Sequence, residues 1–457
     1  MGLVHFPHAL APRTSSIASL LPRAPQTLEE TGLPGPFLAD LVAKTLLQAA
    51  GAKLVELATR LCLGGALVGA VCQAMRRDGL LEVSRRGEQE SDVVFELTLA
   101  GRARALDAFS RSAYVGPAPV TLEDYAARVR AQTPSEPVTL RLARAVFADL
   151  ILADELVDKL GTAMNSARPL LLHGPAGSGK TFIARSLQRL LPGPIAIPHA
   201  VLAQDEVIRL YDVQCHRPLD ADDAALAARA PLDNRARPDA RWVACERPVV
   251  SCGGELTLEM LDLGFDPRAG YYEAPPHLKA SNGLFIVDDL GRQRVTPREL
   301  MNRWIVPMER RHDHLTLRGG ARVEVPFEMQ LVFSSNLAPG ALDDAFLRRI
   351  GHKIEVGPVD SHAYARIFAS ACEDEGLPLD DEALEHLIET LHGGRGRALL
   401  ACHPRDLLRL VASRARYLEV PPSLDPGLMD WAWHTLFGDD GDARRDAAAS
   451  DSPRRSS

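Results

Sequence analysis

The chain has 457 residues, enough for two or three domains, and its 46% hydrophobic and 25% charged residues are ordinary for a globular protein. No apolar run approaches the length of a membrane span, and a net charge of −8 gives no general attraction to nucleic acid. The seven cysteines form no Cys-x-x-Cys pair, which favours reduced thiols and a cytoplasmic location. Cys215-His216 and Cys402-His403 lack second pairs at ligand spacing, so no structural zinc is predicted there.

The N-terminal part of the chain predicts an arm followed by a small domain. Residues 1–34 are rich in Pro, Ala and Ser and have no periodic apolar face, which predicts a disordered arm. Residues 35–115 show three helical patterns and then two short strand patterns joined by a charged loop. This order resembles a winged helix, and the segment Leu97 to Arg102 resembles the exit of the wing in bacterial winged-helix regulators. A Pro-rich linker is expected over 116–139.

The charge pattern of the winged-helix-like domain bears on its partner. Basic and acidic side chains almost cancel in it, and its third helix opens with Gly64-Gly65-Ala66, which offers no side-chain hydrogen bonds to base edges. The predicted wing is acidic, with Glu88, Glu90 and Asp92. These features favour docking of a protein partner. DNA binding stays open because four arginines could hold a phosphate backbone: Arg76, Arg77, Arg85 and Arg86.

An apolar run from Leu170 to Leu172 breaks into a glycine-rich turn that ends in a lysine and a threonine. The pattern is that of a phosphate-binding loop, where backbone N–H groups and the start of the next helix surround the phosphates of a nucleoside triphosphate. Lys180 is expected to reach the β- and γ-phosphates, and Thr181 to ligate Mg²⁺. The predicted ATP-binding residues are Gly174, Pro175, Ala176, Gly177, Ser178, Gly179, Lys180 and Thr181.

A second apolar run, Leu284 to Val287, ends in two acids. It predicts a buried parallel strand that delivers carboxylates to the edge of the sheet where the phosphates lie. Asp288 is assigned to the Mg²⁺ shell and Asp289 to the orientation of the attacking water. ATPases of this kind usually carry glutamate at the second position. Because aspartate is one methylene shorter, hydrolysis is expected to be slow unless a shifted water compensates.

A third apolar run, Leu331 to Phe333, ends in the polar tip Ser334-Ser335-Asn336, and two arginine-bearing segments follow. In this order the motifs resemble the AAA+ ATPase superfamily over about residues 140–437. The resemblance implies a first sensor at Asn336 and a second sensor at Arg405. It also implies an arginine finger at Arg349, with Arg348 as the alternative.

Two finer features narrow the resemblance. Strand-like alternation on either side of Gly319-Gly320 predicts a hairpin just before the third apolar run. With the segment 273–283, this hairpin resembles the MoxR-like and enhancer-binding branches of the superfamily. The long separation of Lys180 from Asp288 predicts an insertion at roughly 205–275. Tyr271-Tyr272 in it could face a central pore, but a packed aromatic pair is favoured.

The predicted architecture is an α/β P-loop AAA+ core with a parallel sheet over 140–356 and a helical lid over 357–438, followed by a disordered tail at 439–457. The winged-helix-like domain precedes the core. The implied activity is hydrolysis of ATP with Mg²⁺ as cofactor. The protein would act as a homo-oligomeric ring that remodels or switches a macromolecular client, with an unidentified protein partner on the winged helix and no membrane partner. The alternative is a nucleotide-gated DNA-binding transcriptional regulator.

Overall fold

The computed structural model describes residues 20–85, 93–219 and 237–438. The predictions for residues 1–19, for the wing at 86–92 and for the tail at 439–457 lie outside these ranges. The α-helices are α1 Gly35–Ala49, α2 Leu54–Leu61, α3 Gly65–Arg77, α4 Leu99–Arg111, α5 Leu122–Ala131, α6 Leu140–Val146, α7 Asp154–Asn165, α8 Lys180–Ser186, α9 Pro276–Lys279, α10 Pro297–Arg310, α11 Asp344–Arg349, α12 Ser361–Glu375, α13 Asp381–Glu385, α14 His403–Leu418 and α15 Pro426–Phe437.

The strands are β1 Ala52–Lys53, β2 Leu81–Arg85, β3 Val94–Leu97, β4 Val120–Thr121, β5 Leu170–His173, β6 Ile195–Pro198, β7 Ala200–Ala203, β8 Glu206–Arg209, β9 Trp242–Cys245, β10 Val249–Cys252, β11 Gly264–Asp266, β12 Tyr271–Glu273, β13 Leu284–Val287, β14 His312–Thr316, β15 Arg322–Pro326, β16 Gln330–Ser335 and β17 His352–Glu355. A π-helix spans His386–Gly393. Short 3₁₀-helices lie at Glu29–Thr31, Leu187–Leu190, Glu259–Leu261 and Pro339–Ala341.

The first block of the chain combines three helices with a small antiparallel sheet. Strands β1, β3 and β2 pair in that order, and the helices α1, α2 and α3 share their hydrophobic core. Helix α1 buries Leu38, Leu41, Val42 and Leu46, the spacing of one face of a helix. The three predicted helices and two predicted strands are present, and β1 is an additional short strand.

This block is continuous with the structure that follows it. Its core includes Ala200, Leu202 and Val207 of the antiparallel pair β7 and β8. Residues 116–139, expected as a linker, contribute β4, which pairs with β7 in a mixed five-stranded sheet of order β11-β12-β8-β7-β4. Tyr125 and Val129 of α5 are buried beneath it. The linker therefore forms part of a folded unit, because its few apolar residues meet partners distant in sequence.

Residues 20–34, expected to belong to a loose arm, also pack on this unit. Leu20 and Leu21 lie against its core, and the Asp239 N–H donates to the carbonyl of Pro22 at 2.8 Å. The buried Arg241 forms an ion pair with Asp239 at 2.8 Å. The same guanidinium also donates to the carbonyls of Thr31 and Pro119 at 3.5 and 3.2 Å. One buried cation thus connects three segments of the chain.

The centre of the molecule is a parallel sheet of five strands in the order β10-β13-β16-β5-β17. Its central strands β5, β13 and β16 are almost wholly buried because both faces are covered, whereas the edge strand β17 exposes part of His352–Glu355. On one face Leu171 and Phe285 pack with Trp304 of α10. On the other, Leu172 and Ile286 pack with α6, α7 and α8. The predicted α/β fold with a parallel sheet is confirmed.

Two additions lie between the strands of the parallel sheet. Strands β6–β9, β11 and β12 form sheets outside it, whereas β10 belongs to it. The insertion therefore begins before residue 205 and is interrupted by a core strand. The predicted hairpin is confirmed: β14 and β15 pair antiparallel immediately before β16.

The C-terminal helices α12–α15 and the π-helix enclose a separate core around Phe368, Leu407 and Trp433. Asp360 caps α12 by accepting a hydrogen bond from the backbone N–H of Ala363. Among the described residues, no single helix is long and apolar enough to cross a membrane. Helices α2 and α3 pass that test only when joined, and they are bent by 112° at the break between them.

Candidate functional site

Three parallel strands end at one edge of the central sheet, and polar residues follow each of them. Strand β5 leads into the glycine-rich loop, β13 into Asp288 and Asp289, and β16 into Asn336. Strand β16 lies between the other two, paired to both in parallel. Because parallel strands end at the same edge, the motifs predicted separately from the sequence meet at one place.

The glycine-rich loop has a backbone that requires its glycines. Gly174, Gly177 and Gly179 have φ of 147°, 85° and 95°, in the region that residues with a Cβ rarely adopt. A side chain at Gly174 would also collide with the carbonyl oxygen of Val356, at the end of β17. Gly179 is the N-cap of α8, so the first backbone N–H groups of that helix adjoin the loop.

Lys180 lies folded back onto this loop. Its buried Nζ donates to the carbonyl oxygens of Gly174 at 3.0 Å and Pro175 at 2.8 Å. Burial lowers the pKa of the ammonium, and the negative charges of Asp289 and Asp288 oppose that effect. A cation held by neutral carbonyls inside a glycine loop can exchange them for phosphate oxygens, which compensate its charge better.

Thr181 and Asp288 form the second contact of the site. The threonine hydroxyl lies 3.0 and 2.9 Å from the two carboxylate oxygens of Asp288. Hydroxyl and carboxylate oxygens are the ligands that Mg²⁺ takes in proteins when phosphates complete its shell. The donor set at this position therefore fits the predicted magnesium site.

Asp289 and Asn336 form the third contact. The Asn336 amide Nδ2 donates to Asp289 Oδ1 at 2.6 Å. Asp289 has a φ of 55°, a left-handed conformation that aspartate tolerates better than most residues. The turn at this position aims its carboxylate towards the neighbouring strand rather than along its own.

Gln293, which no sequence motif marks, holds that turn. Its amide Nε2 donates to the carbonyl oxygens of Asp288 at 2.6 Å and Asp289 at 3.2 Å, and its Oε1 accepts from the backbone N–H of Gly291 at 2.9 Å. One side chain thus closes the turn that follows the acidic pair. The only trace in the sequence is a glycine followed two positions later by an amide, which is too common to identify a role.

The buried hydroxyl of Ser178 is evidence that the glycine-rich loop binds a ligand. Ser178 is 4% exposed, and its Oγ has no hydrogen-bond partner among the described residues. Unsatisfied buried hydroxyls are rare in native structures unless a ligand, an ion or water completes them. A phosphate within the loop would supply the missing acceptor, so the residues present fit the predicted nucleoside triphosphate.

The C-terminal helical unit touches the loop through Cys402. The Cys402 backbone N–H donates to the carbonyl of Gly177 at 3.1 Å, and a Cβ on that glycine would lie 2.5 Å from the cysteine Sγ. Burial raises the pKa of the Cys402 thiol to about 11, so the thiol is neutral at physiological pH. Three residues on, Arg405 is half-exposed and forms an ion pair with Asp374 of α12 at 3.0 Å.

The two arginines predicted as finger candidates lie at the end of α11. Arg348 is exposed, and its backbone carbonyl accepts a hydrogen bond from Arg168 at 3.5 Å. Arg349 is partly buried, and its Nε lies 3.5 Å from the carboxylate of Glu309 on α10. Neither of these contacts involves the glycine-rich loop.

The tyrosines of the insertion are packed. Tyr272 is 2% exposed, and its hydroxyl accepts from the backbone N–H of Arg318 at 2.7 Å. Tyr271 lies edge-on to Tyr114, with ring centroids 5.6 Å apart, beside the guanidinium of Arg209. The favoured packed-pair interpretation is confirmed, although each ring packs on a different partner.

Comparisons with known proteins concern a C-terminal domain family, curated relatives and solved structures. Residues 360–435, within the C-terminal helical unit, match a family described as a domain of unknown function (DUF8689). No curated relative matches the chain in sequence. Among solved structures, the chain is similar to the Holliday junction branch migration motor RuvB of Thermotoga maritima at 14% identity and a TM-score of 0.37, covering 64% of this chain and 72% of RuvB. It is also similar to NtrX of Brucella abortus at 12% identity and a TM-score of 0.34, covering 70% of this chain and 57% of NtrX.

Proposed function

We propose that the chain is an ATPase of the AAA+ superfamily, with Mg²⁺ as its cofactor. The observation that carries the proposal is the meeting of three contacts at one edge of the sheet: Lys180 on its loop, Thr181 with Asp288, and Asp289 with Asn336. Transfer of a phosphoryl group to water requires three kinds of group. They are a cation that binds the phosphates, oxygen ligands for a metal ion, and a carboxylate that orients the attacking water.

Each group has a distinct role in this proposal. Loop N–H groups, Ser178 and Lys180 bind the triphosphate. Thr181 and Asp288 hold Mg²⁺, which neutralises phosphate charge when bound. Asp289 accepts the proton of the attacking water, and Asn336 orients that carboxylate. The left-handed conformation of Asp289 directs its short side chain towards Asn336 at the end of the neighbouring strand.

We further propose that the protein works as a homo-oligomer in which Arg349, or Arg348, completes the site of a neighbouring subunit. Support comes from their positions at the end of α11, where Arg348 is exposed and Arg349 forms an ion pair with Glu309 of α10. Arg405 would leave Asp374 for the γ-phosphate when the helical unit closes over the loop, to which Cys402 already connects it.

Residues 35–115 are proposed as a winged-helix module that docks a protein client. The order α1-β1-α2-α3-β2-β3 and the antiparallel sheet support the fold. A nucleotide-gated DNA-binding regulator is the second candidate. It is favoured by the exposed polar side chains on the later turns of α3, which are Gln73, Arg76 and Arg77.

The direct test is ATP binding and turnover by the Lys180→Ala variant. Removing the loop cation should lower turnover at least about 100-fold, because no other mobile positive charge reaches the phosphates from within the loop. Lys159→Ala is the matched control, since Lys159 is exposed on α7 in a surface ion pair with Glu155. Full turnover by Lys180→Ala, or equal losses in both variants, would refute the site.

A further inference from the structure

The hairpin β14–β15 has two chemically different faces. Residues of its inner face are buried in the hydrophobic core beside α5 and β8, among them Leu315, Val323 and Val325. Its outer face carries His312, His314 and Glu324, which are exposed or half-exposed. Alternation along the strands puts these three side chains on the same side, because successive residues of a strand point to opposite faces.

The three outer side chains are close enough to share a metal ion. One ligand atom from each, a ring nitrogen of each histidine and a carboxylate oxygen of Glu324, lies within 4.8 Å of the other two. His314 and Glu324 are direct cross-strand partners, and the two imidazole rings lie 5.2 Å apart. Tetrahedral zinc needs its donors about 3.3 Å apart, which small rotations of exposed side chains can reach.

The second nitrogen of His312 is already engaged. Its Nδ1 lies 3.1 Å from the carbonyl oxygen of Arg310, which can only accept a hydrogen bond. That contact places the proton on Nδ1 and leaves the lone pair on Nε2. Histidines that bind metals commonly donate their other ring N–H to a carbonyl in this way, because the bond fixes the orientation of the ring.

The backbone beneath the cluster is held from the inside. Asp313, between the two histidines, is 2% exposed and accepts from Arg303 of α10 at 2.6 and 2.8 Å. Its Oδ2 also lies 3.1 Å from His277 Nε2. The buried Asp313 fixes the backbone of β14 between the two outward histidines. Metal binding by these histidines therefore costs little backbone conformational entropy, which favours a higher affinity for the metal.

We propose that the outer face of this hairpin binds a divalent transition-metal ion, with Zn²⁺ favoured by the ligand set, through His312, His314 and Glu324. The ligands are two nitrogens and one oxygen, unlike the all-oxygen set of Thr181 and Asp288 that suits Mg²⁺. Three protein ligands leave a fourth position for water or for a side chain of a bound partner. The site is independent of the proposed ATPase.

The test is titration of the full-length chain, freed of metal by chelation, with Zn²⁺ in competition with a chromogenic chelator. Wild type should bind one Zn²⁺ at the hairpin, and His314→Ala should weaken that binding at least about tenfold. His362→Ala, which removes an exposed histidine on α12, is the matched control and should bind as wild type does. Equal affinity in wild type and His314→Ala would overturn the proposal.

Co²⁺ absorption separates this site from the seven free cysteines. The bound ion should show ligand-field bands without thiolate charge transfer. A charge-transfer band that His314→Ala leaves unchanged would assign the metal to cysteine and refute the hairpin site. Lys180→Ala should leave Zn²⁺ binding unchanged, so failure of the ATPase proposal can be told from failure of this one.

Discussion

The amide of Asn336 donates a 2.6 Å hydrogen bond to the carboxylate of Asp289, so the ends of two adjacent parallel strands act as one unit. The amide leaves the second carboxylate oxygen of Asp289 available to a water molecule. It also fixes the rotation of the carboxylate group, which sets where such a water is held. In the proposed ATPase this contact decides the geometry of attack and contributes nothing to the binding of the phosphates.

Replacing Asn336 with alanine should therefore separate binding from hydrolysis. We expect turnover to fall about 100-fold, within the range that a positioned base contributes, while ATP affinity changes little. Steady-state turnover and equilibrium binding of ATP measure the two effects. Asn302→Ala, an exposed asparagine on α10, is the control. Loss of ATP affinity in parallel with turnover would mean that Asn336 binds the phosphates rather than orienting the base.

Gln293 should act on the same step through the turn that it closes. Gln293→Leu keeps the bulk of the side chain and removes the amide bonds to Asp288 and Asp289. The left-handed conformation of Asp289 then loses its support, and we expect kcat to fall about tenfold with KM for ATP unchanged. Arg298→Ala, an exposed change on the following helix, should leave kcat as it is. An unchanged kcat in Gln293→Leu would show that the turn holds without the amide.

The sequence predicts this edge of the sheet because each of its motifs is a short continuous segment of the chain. An apolar run that ends in polar residues marks a buried strand and its functional end, and parallel strands bring such ends together. Lys180, Asp288 and Asn336 could be identified in this way without knowledge of the fold. Gln293 could not, because its role depends on the conformation of a turn that no periodicity reveals.

Long-range pairing accounts for the other differences. The partner of Arg405 is Asp374 on α12, 31 residues earlier in the chain. Strand β4 has only two residues, and the sequence predicts linker there because the pairing of β4 with β7 depends on tertiary contact. Arg241, which binds carbonyls of Thr31 and Pro119, connects segments that the sequence presents as separate. Contacts of this kind are set by packing, not by local propensity.

If Arg349 acts on the site of a neighbouring subunit, two inactive variants should restore ATP hydrolysis when they are mixed. Arg349→Ala should keep ATP affinity and lose hydrolysis, because a finger stabilises charge that develops in the transition state. Lys180→Ala is inactive for a different reason. In mixed assemblies some interfaces pair an intact Arg349 with an intact loop, and these should regain turnover.

Arg348→Ala decides between the two arginines, since only the true finger should complement Lys180→Ala in this way. Co-assembly is checked by size-exclusion chromatography with one variant fluorescently labelled. Absence of recovered turnover in proven mixed assemblies, for both arginines, would contradict a finger acting between subunits.

The last prediction concerns the partner of the proposed winged-helix module. The solvent-facing side of α3 carries Ala66 and Ala70 on its first turns, which cannot hydrogen-bond to base edges. Only Gln73, Arg76 and Arg77 offer polar contacts there, on the later turns. Three such residues are few for sequence readout. Because basic and acidic side chains almost cancel in residues 35–115, few phosphates can be neutralised, and we expect weak DNA binding with a shallow dependence on salt.

The measurement uses the full-length chain, because the core of the module is shared with Ala200, Leu202 and Val207 and the module cut out alone would expose them. Mixed duplex DNA is titrated across a salt series, with wild type compared to the Arg76→Ala/Arg77→Ala variant. Protein docking predicts that the two bind DNA equally weakly at every salt concentration. Micromolar affinity that falls steeply with salt and is lost in the double variant would instead establish phosphate contacts by these arginines, and the DNA-binding regulator would become the better account of the protein.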